Sequence, residues 1–252
     1  ATPIGNLADS SPRSVEVLRS ADLIACEDTR TSRTLLAHHG IAVGVVALHQ
    51  HNEKAQAEKL VETILKGKNV ALISDAGTPG VSDPGALLIE AAHRARVRVV
   101  PIPGASAAIT AWSASGFASP GFRFVGFPTG KEKIAAEPTI LYEAPHRVAK
   151  TVQALLKLLG PEREIVIARE LTKKFEEVAR MKLGEPPAWL EGEHRQDGEY
   201  VLVLGPGPAQ ESDVAEGARV RDILAREMSP SDAARLPARI TGVPRKALYK
   251  PK

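Results

Sequence analysis

A chain of 252 residues holds one large domain or two to three smaller ones, and 43% apolar with 25% charged residues is the balance of a soluble globular protein. One cysteine, Cys26, excludes an internal disulfide framework and suits a reducing compartment, so a cytoplasmic location is expected. The net charge of +3 says little by itself, but between Arg219 and Lys252 nine Lys/Arg face three Asp/Glu, leaving the rest of the chain slightly acidic. A basic tail on a near-neutral body points to an anionic partner or to a solvated helical face.

In chain order, ATPIGN reads as the end of a strand whose beginning precedes Ala1. The first residues show no basic segment followed by an apolar stretch, so no secretory signal is expected. A helix over Pro12–Ser20 precedes a strand over Asp22–Ala25, and a helix over Ser32–His38 precedes a strand over Val43–Leu48. A long helix over Glu53–Lys66, with Asn52 placed to cap it, precedes the strand NVALIS. A helix over Ala86–Ala95 precedes RVRVVPI, read as another strand. This alternation predicts a parallel α/β sheet. From Val99 to Phe122 there is no charge, long enough to raise a transmembrane question. Pro101, Pro103, Gly104, Ser106, Ser113 and Ser115 break that run into strand, turn and helix, so a membrane span is rejected.

The second half predicts helices at Ala105–Ser115 and His146–Leu159. Its strands are Arg123–Phe127, Thr139–Glu143, Glu164–Arg169, Glu177–Leu183 and Glu199–Leu204. Two strands follow Arg169 without a long helix between them, so this sheet is expected to be mixed. GPGPAQESD, Gly205–Asp213, reads as a linker, followed by short helical segments only. The expected domains are 1–104, 105–207 and a basic helical segment 208–252.

Three predicted strands end in small or φ-restricted residues: ATPIGN, SDAGTPGVSDPG and PIPGASAA. In a parallel sheet, ligands sit beyond the carboxyl ends of strands. Glycine lets backbone approach a ligand closely, proline fixes a loop, and PGASAA opens a helix whose leading N–H groups need acceptors. Each loop alone reads as an ordinary βα turn; together they suit one pocket that holds its ligand mainly by main-chain groups. The dinucleotide pattern G-x-G-x-x-G and the phosphate loop G-x-x-x-x-G-K-[ST] are both absent.

ATPIGNLAD, ACEDTR, HQHNE, SDAGTPGVSDPG, PIPGASAA, SASG, GFPTGK, YEAPHR and RELTKKFEE occur in this order over Ala1 to Leu204. Together they resemble the ribosomal RNA small subunit methyltransferase I family, one of the tetrapyrrole-methylase-like class III methyltransferases. The resemblance implies an α/β protein of two α/β domains of the tetrapyrrole-methylase type, with the cofactor in the cleft between them, acting as a homodimer. It implies methyl transfer from S-adenosylmethionine to the ribose 2′-oxygen of a cytidine in the decoding region of 16S rRNA, in the small ribosomal subunit.

By that resemblance, Pro3, Asp75, Gly77, Thr78, Val81 and Ser82 would meet the cofactor from the first two loops. Gly104, Ala105, Ser106 and Ala107 would do so from the third, and Tyr142, Glu170 and Leu171 from the second domain. The superfamily's Gly-Asp-Pro loop is Gly77-Thr78-Pro79 here, so a carboxylate must come from Asp75 or not at all. GFPTGKEK also runs into IAAEPTILYE sooner than in the family, where a longer basic stretch intervenes.

A ribose hydroxyl is a poor nucleophile, so a positioned proton acceptor would help. Glu27, Asp28 and Arg30 follow the strand Leu23–Ala25 at its carboxyl end. A carboxylate there could take the proton or orient the ribose, and Arg30 could hold a phosphate bidentately. The competing reading is a helix N-cap at Asp28 with a surface ion pair. His49 and His51 raise a metal question that no Cys or carboxylate cluster supports, so no metal is expected. Cys26 ends a buried strand and reads as a core thiol. Tyr142, Glu143, His146 and Arg147, like Arg169, Glu170, Lys173 and Lys174, read equally as site residues or interface ion pairs. Trp112 and Trp189 read as core or interface, and scarce aromatics argue against base stacking. SPSDAARLPARITGVPRKALYK resembles a helix-turn-helix with a turn at Gly242 and a helix starting at Pro244, though Pro237 spoils its first helix; its basic residues suit RNA phosphates. A small-molecule methylase and a non-catalytic RNA-binding assembly factor stand as the alternatives.

Overall fold

The computed structural model describes residues 1–192, 195, 197–207, 211–241, 243 and 245–248. The predicted turn at Gly242 and helix start at Pro244 lie outside them. The chain forms two compact units: Ala1–Ala114 with Ala168–Glu177, and Ser115–Ile167 with Val178–Lys252.

In the first unit, the elements run α1 (Pro12–Ser20), β1 (Leu23–Cys26), α2 (Thr29–His38), β2 (Val45–Ala47), α3 (Glu53–Leu65), β3 (Val70–Leu72), α4 (Ala86–Arg94) and α5 (Ala107–Ser115), whose last residue falls in the second unit. The three strands form a parallel sheet in the order β2-β1-β3. β1 is central, and its side chains alternate between two cores. Ile24 and Cys26 pack with Leu18, Leu36, Ile41 and Ile73 on one face. Ala25 packs on the other with Leu60, Val61, Leu88 and Ala92. A parallel strand covered on both faces reads as an unbroken apolar run, which is why LIAC was legible. In α3, Ala57, Leu60 and Val61 fall at helical spacing; in α4, Leu88, Ala91 and Ala92 do the same.

Three local expectations are corrected. α2 begins at Thr29 rather than Ser32, because Asp28 caps it and Arg30 N donates to Asp28 Oδ1 at 2.8 Å. Asn52 precedes α3 but makes no side-chain cap; Oδ1 accepts from His49 N at 2.9 Å and Nδ2 donates to Ala47 O at 3.1 Å. RVRVVPI forms no ladder, although Val97 and Val99 pack against the core. A strand needs a hydrogen-bonded neighbour as well as an apolar pattern, and the proline at position 101 has no N–H to give one.

The second unit carries β4 (Arg123–Gly126), β5 (Thr139–Glu143), α6 (Pro145–Leu159), β6 (Glu164–Arg169), β7 (Glu177–Lys182), α7 (Pro186–Leu190), β8 (Tyr200–Leu204), α8 (Glu211–Leu224), α9 (Pro230–Thr241) and α10 (Arg245–Leu248); the end of β6 and the first residue of β7 group with the first unit. Its sheet runs β4-β5-β8-β6-β7 and is mixed, as expected: β5 pairs parallel with β4 and antiparallel with β8. All five β8 side chains are buried, whereas the edge strand β7 alternates. Val148, Val152 and Leu155 of α6 join that core, and Trp189 packs against it.

The tail departs from expectation twice. α8 starts at Glu211, inside the predicted linker, and runs 14 residues. α9 continues through Pro237, which is buried. Proline removes one helical hydrogen bond without ending the helix, and Thr241 Oγ1 donates to Pro237 O at 2.8 Å.

One buried carboxyl closes the loop between β3 and α4. Glu53, at the start of α3, accepts from Gly85 N at 2.7 Å and from Leu87 N at 2.9 Å, both through Oε1, so it caps α4 from another helix. Gly85 has φ 130°, and a Cβ there would lie 2.8 Å from Leu72 Cδ2, so only glycine fits beneath the cap. We expect Glu53→Ala to lower the urea-unfolding free energy by about 1–3 kcal/mol, the cost of unsatisfied buried donors. Unchanged stability would mean that the first turn of α4 finds other acceptors.

Candidate active site

The three glycine- and proline-rich loops meet in the first unit. Thr2 and Gly77 form an antiparallel bridge, with Thr2 N donating to Gly77 O at 2.8 Å and Gly77 N to Thr2 O at 3.1 Å. Thr2 Oγ1 also donates to Ser74 O at 3.0 Å. Thr78 Oγ1 reaches the third loop and donates to Ala105 O at 3.0 Å, while the Ala1 ammonium donates to Ile102 O at 3.3 Å. A Cβ on Gly104 would lie 2.8 Å from Ala1 Cβ, so that glycine serves loop-on-loop packing. The segment 170–173 joins them: a Cβ on Gly5 would meet Lys173 Cγ at 2.5 Å.

The residues proposed for the cofactor thus divide. Pro3, Asp75, Gly77, Thr78, Val81, Ser82, Gly104, Ala105, Ser106, Ala107, Glu170 and Leu171 all belong to the first unit. Tyr142 belongs to the second, where its ring stands edge-on to Phe124 and Phe127 at 5.0 and 5.6 Å. Ser82, Glu170 and Thr172 hold φ of 63°, 51° and 67°, a conformation that costs a non-glycine residue about 1–3 kcal/mol and clusters at functional loops. Glu170 pairs with Lys173 at 2.8 Å, and Thr172 Oγ1 is buried without a hydrogen-bond partner.

Carboxylates gather where β1 and β3 end. The two strands leave the sheet side by side, and Asp75 Oδ1 accepts from Asp28 N at 3.0 Å. Asp28 also holds Arg30, with Nη2 to Oδ2 at 2.8 Å; the Arg30 guanidinium beside it, together with the helix N–H, brings the Asp28 carboxyl down to about 2. Arg30 itself is 88% exposed. The N-cap and ion pair weighed for Asp28 are therefore present. Glu27 behaves oppositely: partial burial, then the Asp75 charge, push its carboxyl up, with His49 opposing. Asp83, half-buried in the same loop, is raised to about 6 by burial and then by Glu27.

Asp83 is the residue that sequence reasoning missed. Asp-Pro-Gly reads as a turn, and only the loop's return path places its carboxyl against Glu27 and Asp75. Ser74, 2% exposed, faces Asp83, yet its hydroxyl makes no hydrogen bond of ordinary geometry.

The other candidates have local duties. Glu143 is buried; it accepts from Ala144 N at 2.9 Å and Thr151 Oγ1 at 2.5 Å and pairs with Arg147 at 3.2 Å. Cys26 is a buried free thiol whose pKa burial raises, in keeping with a core role. The His49 and His51 rings lie 6.0 Å apart, and among the described residues no three His, Cys, Asp or Glu side chains are arranged to hold a metal. Among the described residues no helix is long and apolar enough to cross a membrane.

The α/β chain with glycine-bent loops bridged at a parallel sheet edge falls, by its sequence match, in a class of methylases. Residues 1–187 match the family described as Tetrapyrrole (Corrin/Porphyrin) Methylases, and the chain belongs to it. Two solved structures share this fold at low identity. Diphthine synthase aligns with TM-score 0.63 and 18% identity over 81% of this chain and 87% of that one; uroporphyrin-III-C-methyltransferase from Thermus thermophilus gives 0.60 and 19% over 81% and 91%. Sequence relatives are far more similar. The Ribosomal RNA small subunit methyltransferase I of Escherichia coli O157:H7 is 46% identical, covering 99% of this chain and 91% of that protein. Its namesake in Xylella fastidiosa strain Temecula1 is 45% identical, over 99% and 96%. Residues 211–250 match the RsmI C-terminal HTH domain, which covers α8 to α10.

The raised Asp83 carboxyl carries a signed pH dependence. Below its ordinary value of 3.8 the group is protonated folded or unfolded; between there and about 6 only the folded protein keeps the proton. Stability from this group is therefore lost as pH rises through about 6. Asp83→Asn is expected to raise the melting temperature at pH 7.5 and to lose that advantage by pH 4, as thermal scans across pH will read.

Proposed function

We propose that this chain transfers the methyl group of S-adenosylmethionine to the ribose 2′-oxygen of a cytidine in the decoding region of 16S rRNA, acting on the small ribosomal subunit as a cytoplasmic homodimer. The observation that carries this reading is the 45–46% identity, over 99% of the chain, to proteins named Ribosomal RNA small subunit methyltransferase I.

The residues fit such a cofactor. Carboxylates at the ends of β1 and β3 favour a cation, and the unpartnered hydroxyls of Ser74 and Thr172 offer polar contacts beside main-chain groups. When bound, S-adenosylmethionine supplies an electrophilic methyl carbon. In this proposal Pro3, Asp75, Gly77, Thr78, Val81 and Ser82 hold it with Gly104, Ala105, Ser106 and Ala107, and Glu170 and Leu171 complete the contacts that the first unit makes. Holding both reactants aligned can remove about 7–11 kcal/mol of barrier, so the crosslinked loops contribute chiefly as a rigid frame. Glu27 and Asp28 stand where a ribose would be oriented, and Arg30, exposed beyond them, suits a phosphate.

The tail supplies an RNA surface. Arg221 is buried and donates to Leu248 O at 3.1 Å, so it holds α10 in place. Arg219 pairs with Glu216 and Arg235 with Asp232. Arg226, Arg239 and Lys246 are exposed and are assigned to phosphates.

Labelled S-adenosylmethionine and small subunits lacking the modification test the reading. Label in 16S rRNA, at one linkage that resists alkaline hydrolysis, is expected. Label in a porphyrinoid instead would favour a small-molecule methylase, and cofactor binding without turnover would favour an assembly factor. The double variant Arg239→Ala, Lys246→Ala is expected to weaken small-subunit binding and reduce the slope of log affinity against log salt by about 1–2. Cofactor affinity should not change; an unaltered salt slope removes the tail from the RNA surface.

A further inference from the structure

Aromatic residues are 4% of the chain, yet three of them gather at one edge of the second sheet. β4 is an edge strand, and its Val125 packs against the core that holds Leu141. Strict alternation would send Phe127 to the same face as Val125 and leave Phe124 on the other. The register shifts between Phe124 and Gly126, and Gly126 holds φ 72°, so the chain turns over before Phe127. Both phenylalanines consequently meet one ring: Tyr142 stands edge-on to Phe124 at 5.0 Å and to Phe127 at 5.6 Å. Tyr142 thus steadies the Phe127 ring, while Phe127 stays 52% exposed.

The loop that follows β4 receives an anion. Thr129 Oγ1 and N donate to Glu132 Oε1 at 2.7 and 2.8 Å, and Gly130 N donates to Glu132 Oε2 at 2.8 Å. Gly130 has φ 84°, and successive N–H groups beside a left-handed residue form such a concavity. The Thr129 hydroxyl, then the Thr129 N–H, hold the Glu132 carboxyl down to about 2. Arginines fix both ends of the loop: Arg147 Nη2 donates to Pro128 O at 2.5 Å, and Arg123 Nη1 to Lys133 O at 2.6 Å. Lys131 and Lys133 are exposed in the same turn.

We propose that this rim binds one nucleotide of single-stranded rRNA: its base stacks on Phe127, and its phosphate takes the Thr129 and Gly130 N–H groups in place of the Glu132 carboxylate, with Lys131 as counter-charge. The choice of RNA rests on the methyltransferase reading above. An exposed ring alone suits many apolar partners, but a ring followed by an anion receptor and two cations suits a chain of bases and phosphates. Phe127 and Thr129 are two residues apart, at most about 7 Å along the chain, so one nucleotide reaches both. Glu132 is then a reversible occupant, which fills the receptor until phosphate displaces it.

The test compares binding of a single-stranded RNA of about ten nucleotides with binding of an abasic chain of equal length. The full-length protein carries Arg239→Ala and Lys246→Ala throughout, so that the tail contributes little. Phe127→Ala and Phe127→Leu should each weaken the RNA about tenfold or more, the loss of one base–aromatic stack, and leave the abasic chain within about twofold. Phe127→Leu keeps apolar bulk, so its loss reports the ring rather than the fold, and Phe127→Trp should retain affinity. Glu132→Ala should tighten both chains about threefold or more, because no internal carboxylate has to be displaced. Lys131→Ala should reduce the slope of log affinity against log salt by about 0.7. RNA affinity of Phe127→Leu within about twofold of its parent, or an equal loss on the abasic chain, overturns the proposal. So does weaker binding by Glu132→Ala or an unaltered salt slope in Lys131→Ala. A change of oligomeric state in Phe127→Leu assigns this face to a second copy and overturns it as well. Each of these results leaves the methyltransferase reading intact, whereas a wild-type protein that labels no small subunit overturns that reading, and rRNA as the ligand falls with it.

Discussion

Parallel pairing of β1 with β3 is the constraint from which the candidate site follows. Parallel strands leave a sheet at the same edge, so the chain after Cys26 and the chain after Leu72 emerge side by side. Glu27 and Asp75 then face a common space, and Asp75 Oδ1 ties the two exits together through Asp28 N. Like charges brought together while partly removed from water push carboxyl pKa values up, and both Glu27 and Asp83 are shifted in that direction. A cationic ligand would relieve the same repulsion, so one geometric fact underlies both the raised carboxyls and the proposed hold on a sulfonium.

The loops depend on bonds that cross long stretches of sequence. The Thr2–Gly77 bridge, the Thr78–Ala105 bond and the Glu53 cap of α4 hold together segments that local sequence leaves independent. Each bond is modest, about 1 kcal/mol net, but buried partners left unsatisfied cost more than the bonds gain. That asymmetry keeps a glycine-rich loop in one conformation, including the strained Ser82.

The tail shows how counted charge differs from available charge. Nine basic residues between Arg219 and Lys252 point to an anionic partner or a solvated helical face. Several of their guanidiniums are committed internally: Arg221 secures Leu248, and Arg219 and Arg235 hold acidic neighbours one helical turn away. The tail's exposed cations proposed for phosphates are therefore fewer than the nine counted.

Sequence alone determined the pieces whose signal is local or periodic. Thr139–Glu143 and Pro12–Ser20 were read with their structural bounds, the mixed second sheet followed from two successive strands, and the nine ordered motifs named the family. Only the tertiary structure decided what depends on partners far apart in the chain. RVRVVPI has the apolar pattern of a strand but no ladder, Asn52 turned its side chain away from the helix it precedes, and Pro237 sits inside a helix whose packing tolerates one missing bond. Asp83 looked like a turn residue because its significance lies in Glu27 and Asp75 coming within reach. Hydrophobic period and turn chemistry are properties of neighbours in sequence. Burial, capping by distant side chains and the proton affinity of a carboxyl are properties of neighbours in space.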